Sequence, residues 1–183
     1  NEDYVFRIAC VGDSLTYGNA SPSTSYPVYL SEQLGDGYNV GNFGRNGASI
    51  TGAPDGNPAY ATLTQYEASL DFNPDVVLIM LGTNDAQDWA NAKGKYENDL
   101  KDLIRSYQVA CPGVTVILMT SPLTLGENQY DIVEEDIENY VAPIQREVAQ
   151  EMELQLVDVR EAMKDEADYE SFFISDKVHL TPE

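Results

Sequence analysis

The chain has 183 residues, 43% of them hydrophobic, which is enough for one well-buried core and too few for two ordinary domains. Ten Lys and Arg stand against 31 Asp and Glu, a formal net charge of -21, so the surface repels nucleic acid and anionic membranes and predicts neither as a partner. No apolar run is long enough to span a bilayer.

The chain begins at Asn1 with no signal peptide in view, an opening compatible with a removed leader. The compartment is left open, with an extracellular setting favoured over a cytoplasmic one. Residues 4–11 (YVFRIACV) predict the first strand, which stops at Gly12-Asp13-Ser14-Leu15. A helix is expected over 25–34, then a second strand over 38–43 (YNVGNF), followed by Gly44-Arg45-Asn46-Gly47-Ala48-Ser49. A helix over 58–70 leads to strand three at 75–81 (DVVLIML) and to Gly82-Thr83-Asn84-Asp85. Helix 96–110 precedes strand four at 114–119 (VTVILM). Over 132–152, Ile132, Val133, Ile137, Val141, Ile144 and Val148 recur at threes and fours among Glu and Gln, the pattern of an amphipathic helix. The acidic run at 133–138 reads as its solvated face, and Pro143 predicts a kink or broken turn. Strand five is expected at 154–159 (LQLVDV), then a short helical segment and Asp176-Lys177-Val178-His179. Cys10 and Cys111 are too far apart in sequence to suggest a metal motif and read as small buried apolar residues.

Near-continuous apolarity is what strands covered on both faces should show, and strand alternating with helix predicts one three-layer, doubly wound α/β domain with a five-stranded parallel sheet. Ligands in such sheets bind beyond the carboxyl ends of the strands. The polar and glycine-rich stretches after strands one, two, three and five are dispersed in sequence but should therefore meet in one cleft.

At these stretches the chain resembles the SGNH (GDSL) hydrolase family of esterases: "GDSL" at 12–15, "NFGRNG" at 42–47, "GTND" at 82–85 and "DKVH" at 176–179. Each string is weak alone; in this order after successive strands they are specific. The resemblance implies a flavodoxin-like SGNH fold, Ser14 as nucleophile, His179 as general base and Asp176 as the group that orients it. It also implies an oxyanion hole from Ser14, Gly47 and Asn84, with Gly44 a neighbouring candidate. Independently of the family, His179 is the only histidine, so a serine–histidine mechanism has no other base. A glycine N–H approaches closely and an Asn amide is a fixed donor, as a developing oxyanion requires. No metal or cofactor is expected.

Plainer roles stand beside these. Ser14 in isolation suits a turn or an N-cap, Asn84 a helix cap and Gly47 a tight turn. Asp13 and Asp85 read as structural acceptors. Trp89 is either a core anchor or an aromatic wall for a sugar ring, and Tyr17 lies near the expected cleft. Another class of function is a flavodoxin-like phosphate or flavin site at "DSLTYGN", which leaves the Asp-x-x-His unused. A receiver domain would need a lysine where Val159-Arg160-Glu161 stands, and a non-catalytic carbohydrate-binding relative sits poorly with an intact Ser14 and His179. The loops "NGASITGAPDGNPA" and "NDAQDWANAKGK" are small and polar, so a short acyl group, acetyl on an oligosaccharide or polysaccharide, is expected rather than a lysophospholipid or acyl thioester. After His179, "HLTPE" reads as the start of a further helix common in the family, so the domain is expected to lack its C-terminal helix. Oligomeric state is not readable.

Overall fold

The computed structural model describes residues 5–19, 22–53 and 56–181, so Tyr4 of the expected first strand lies outside the described residues. Five strands, β1 (Phe6–Gly12), β2 (Tyr38–Gly44), β3 (Val76–Met80), β4 (Thr115–Met119) and β5 (Gln155–Val157), form one sheet in the order β2-β1-β3-β4-β5. Every pairing is parallel, with Ile8 opposite both Val40 and Val76, and Leu78 opposite Ile117. The order reverses beside β1, so a crevice opens where β1 and β3 end, and that is where a doubly wound sheet binds its ligand.

The helices are α1 (Ser14–Tyr17), α2 (Tyr26–Leu34), α3 (Thr64–Asp71), α4 (Trp89–Ala92), α5 (Tyr96–Ala110), α6 (Glu134–Asp136), α7 (Ala142–Glu151) and α8 (Val159–Lys164). One expected helix, 58–70, is in fact a 3₁₀ turn at Tyr60–Thr62 followed by α3. Between α6 and α7 the chain makes a π turn at Ile137–Val141. Pro143 has no N–H, and its ring crowds the carbonyl four residues back, so a widened turn just before it lets the helical path continue without a sharp break. Strand five is shorter than expected because Asp158 caps α8, accepting from the Glu161 N–H.

One face of the sheet is sealed. Ala9, Val11, Val77, Ile79, Val116 and Leu118 are buried against Tyr96, Leu100, Ile104 and Tyr107 of α5 and Val148 of α7. Each such large side chain contributes about 1.5–3 kcal/mol on burial. Helices flank both faces, as expected, but the opposite face is covered less completely: Cys10 is buried, while Leu78, Ile117 and Met119 are half-buried and Val157 is 46% exposed. Among the described residues α2 packs on this side against β2 and leaves the β3–β5 half of the face less covered. Both cysteines are free and buried. Arg160, where a receiver domain would need a lysine, is fully buried; it donates to Glu138 Oε2 at 2.6 Å and the Pro122 carbonyl at 3.0 Å, and pairs with Glu134. No helix among the described residues is long and apolar enough to cross a membrane.

Candidate active site

Ser14 opens α1 at the end of β1, where its own N–H is one of the donors a helix start leaves unused. Asp13 caps that helix through the Leu15 N–H at 2.9 Å. Asn42 fastens α1 to β2: its amide donates to the Thr16 carbonyl at 2.9 Å while its oxygen accepts the Gly44 N–H at 2.9 Å. The seating is so close that a Cβ on Gly44 would lie 2.2 Å from the Tyr17 nitrogen, which excludes any other residue there.

His179 arrives from the far edge of the sheet. The loop that carries it is closed at its base by an antiparallel bridge between Phe173 and Leu180 and by the Ile174 N–H donating to the His179 carbonyl at 2.9 Å. Lys177 within it has φ 65°, a left-handed conformation that folds Asp176 back on His179. Asp176 Oδ1 accepts the N–H groups of Val178 and His179 at 3.0 and 2.9 Å, and Oδ2 lies 2.6 Å from His179 Nδ1. Burial pushes the Asp176 carboxyl up, but the His179 and Val178 N–H groups and the imidazole outweigh it and hold the group below its usual value. His179 Nε2 lies 2.7 Å from Ser14 Oγ, and Tyr130 meets the imidazole edge-on at a centroid distance of 5.4 Å. With Nδ1–H donated to the carboxylate, the Nε2 lone pair faces the hydroxyl, the tautomer in which imidazole can take the serine proton. His179 is 4% and Ser14 9% exposed.

Two further stretches come to the same end of the sheet. Gly47 turns with φ 74°, a conformation that suits glycine, and the Asn84 amide donates to the Ala48 carbonyl at 2.9 Å. That bond spends one of the two Asn84 N–H groups and fixes the amide plane. Asn84 therefore bridges two loops rather than capping the turn it begins. Buried Asp85 binds the two loops together, accepting the N–H groups of Ile50 and Thr51 and the Thr51 hydroxyl, each at 2.9 Å. Burial pushes the Asp85 carboxyl up to about 6; burial, aided by repulsion from Asp85, pushes Asp13 up to about 7. Both are acceptors in the scaffold, as the sequence suggested.

Asn57 was not foreseen. Its amide donates to Gln87 Oε1 at 2.6 Å and to the Asn84 carbonyl at 3.4 Å, and its oxygen lies 3.2 Å from where a Cβ on Gly47 would sit. A lone Asn in a Gly-Asn-Pro loop carries no signal of such a contact.

Trp89 is the main correction to the candidate residues. It is 7% exposed, meets Tyr96 edge-on and stacks at 12° on Tyr140, so a face that a sugar would need is taken. It turns inward while its neighbours Gln87, Asp88, Ala90 and Asn91 are exposed. Tyr17 is 42% exposed but does not line the cavity beside Ser14; Tyr26 and Tyr29 of α2 do. That cavity, about 400 Å³, is apolar, with Leu15, Met80, Met119 and Pro122 beside Ser14 and His179. The loop sequences concealed it because its wall comes from α2 and the sheet. A second cavity of about 660 Å³ begins at Asn84 and is lined by small and polar residues. Among the described residues no cluster of His, Cys, Asp and Glu forms a metal-ligating set.

Residues 10–183 match the model of the GDSL-like lipase/acylhydrolase family. An acetylxylan esterase of Xylanibacter ruminicola is 30% identical over 183 residues, which span 88% of this chain but only 38% of that protein's length. The solved structure of a lipase/acylhydrolase from Enterococcus faecalis superposes with a TM-score of 0.74 at 23% identity, covering 97% of this chain and 88% of that one. The structure of the acetyl xylan esterase AlAXEase does so with a TM-score of 0.73 at 24% identity, covering 97% and 92%. At these identities the structural likeness is one of fold.

Proposed function

Since the chain belongs to the GDSL-like lipase/acylhydrolase family, we propose that it is a serine esterase that releases acetyl groups from carbohydrate esters. The observation that carries the reading is the continuous line from Ser14 Oγ through the imidazole to the doubly anchored Asp176 carboxylate, at 2.7 and 2.6 Å. Ser14 Oγ attacks the ester carbonyl carbon as His179 Nε2 takes its proton. Charge on the former carbonyl oxygen is met by the Ser14 and Gly47 N–H groups and the Asn84 amide. Collapse breaks the bond to the alcohol, which leaves with the proton from His179. Water then attacks the acyl-serine, its proton passing to the same nitrogen, and acetate departs with Ser14 restored. Support for acetyl on a sugar comes from the polar loops around Asn84 and Gly47 and from the activity named for the Xylanibacter ruminicola relative.

A second reading, hydrolysis of esters with longer acyl chains, is favoured by one observation, the apolar cavity against Ser14 and His179. Labelling with a serine-directed phosphonate followed by peptide mapping tests the nucleophile: modification is expected on Ser14, and modification elsewhere sinks the mechanism. Rates for p-nitrophenyl acetate, butyrate and octanoate then divide the readings. A preference for acetate supports the first and a preference for octanoate the second.

A further inference from the structure

The cavity at Ser14 and His179 and the one that begins at Asn84 differ in chemistry. In the larger one, among the described residues, no lining side chain is a hydrocarbon bigger than that of alanine; its wall is made of Ser, Thr, Asn, Asp, Gln, Lys, Gly and Ala. Such a wall offers an acyl chain no large apolar side chain to pack against, whereas a sugar, whose hydroxyls each donate and accept, finds both kinds of partner. Its volume of about 660 Å³ suits a small-molecule site.

Gln87, on the turn at Asn84–Asp88, and Asn91, on α4, are both exposed and both line this cavity. The Gln87 oxygen is engaged by Asn57 at 2.6 Å, so the function it has to offer is its NH₂. The Asn91 NH₂ donates to Asp88 Oδ2 at 2.7 Å, which leaves its oxygen and its second N–H to offer. The pair thus presents donors from both amides and an acceptor oxygen on Asn91, a match for adjacent sugar hydroxyls, each of which donates and accepts. Lys95 also lines the cavity, its ammonium held by the Thr51 and Gly52 carbonyls at 3.1 and 3.5 Å.

We infer that this polar cavity is a subsite for an unacetylated sugar unit next to the one whose ester is cleaved, with Gln87 and Asn91 as specificity-determining residues that read its hydroxyls. The inference rests on the carbohydrate reading above. With Trp89 in the core, recognition here is by hydrogen bonds rather than by ring stacking.

The test compares kcat/KM for acetate release from acetylated xylotriose and acetylated xylose, with p-nitrophenyl acetate alongside, in wild type and in Gln87→Ala/Asn91→Ala. Wild type is expected to favour the trisaccharide, and the double variant to lose about tenfold of that preference. A preference is a ratio between substrates, so a partly unfolded preparation leaves it unchanged. Retention of the full preference in the double variant overturns the subsite, as does a wild type that treats the two sugars alike. A wild type that cleaves p-nitrophenyl acetate but releases no acetate from either sugar overturns the carbohydrate reading and the subsite with it.

Discussion

Replacing Asn84 by Ala separates a catalytic role from a structural one, because the structure puts different magnitudes on the two. The structural loss is a single neutral hydrogen bond, the 2.9 Å contact to the Ala48 carbonyl at a half-buried residue. Such a bond is worth about 1 kcal/mol, or roughly 2–4 °C in Tm for a chain of this size. The loops should stay in register without it, since the bonds from Asp85 to Ile50 and Thr51 join the same two segments. The catalytic loss is the second Asn84 N–H, proposed to meet the oxyanion, and removal of one such donor costs about 2.7–4 kcal/mol, or 10²–10³ in kcat. KM should hardly move, because the donor acts on charge that exists only in the transition state. Steady-state kinetics on p-nitrophenyl acetate and thermal unfolding of the same preparation read both quantities. A lowered Tm with unchanged kcat would refute the oxyanion role and leave Asn84 as a strut between loops.

Ser14→Ala and His179→Ala should each lower kcat by on the order of 10⁶, with no acyl-enzyme burst in rapid-mixing kinetics; a persistent burst in either would remove that residue from the mechanism. Asp176→Asn should lower kcat near pH 8 by roughly 10³–10⁴ by releasing the imidazole to the wrong tautomer. Its stability effect has a defined sign. The native carboxyl sits below its usual value, so its contribution is full above about pH 4 and fades as the carboxylate protonates below that. The Tm gap between wild type and Asp176→Asn should therefore narrow in acid, and a gap that widens there would contradict the pairing. Asp13 has the opposite sign: raised to about 7, it holds a proton that the unfolded chain releases near ~3.9, so stability falls as pH rises through that window. In Asp13→Asn, which keeps an acceptor for Leu15, the Tm advantage over wild type should grow between about pH 4 and 7 and then level off. An advantage independent of pH would mean that Asp13 titrates normally.

Local chemistry made much of this protein legible from its sequence. Apolar runs of strand length alternating with helical periodicity determine a parallel sheet, because each strand must be covered and each crossover needs a helix. Ser14 and Asn84 stand out because each follows a strand, a position that faces the crevice in this topology, and the Asp176–His179 pair because it holds the one histidine of the chain. What depends on contacts between distant segments was not readable. Asn57 beside Gly47, and the apolar cavity built by α2 and the sheet, exist only once residues far apart in the chain meet. Trp89 shows the limit most clearly. Its aromatic ring suits a core or a sugar equally well, and periodicity over four residues cannot choose between them. The choice falls to Tyr96 and Tyr140, which reach it from α5 and the turn before α7 and fill the space a ligand would need. Sequence determines which residues can do chemistry; tertiary packing decides which still have a surface free to do it, since burial of one face by a neighbour is a property of the assembled core alone.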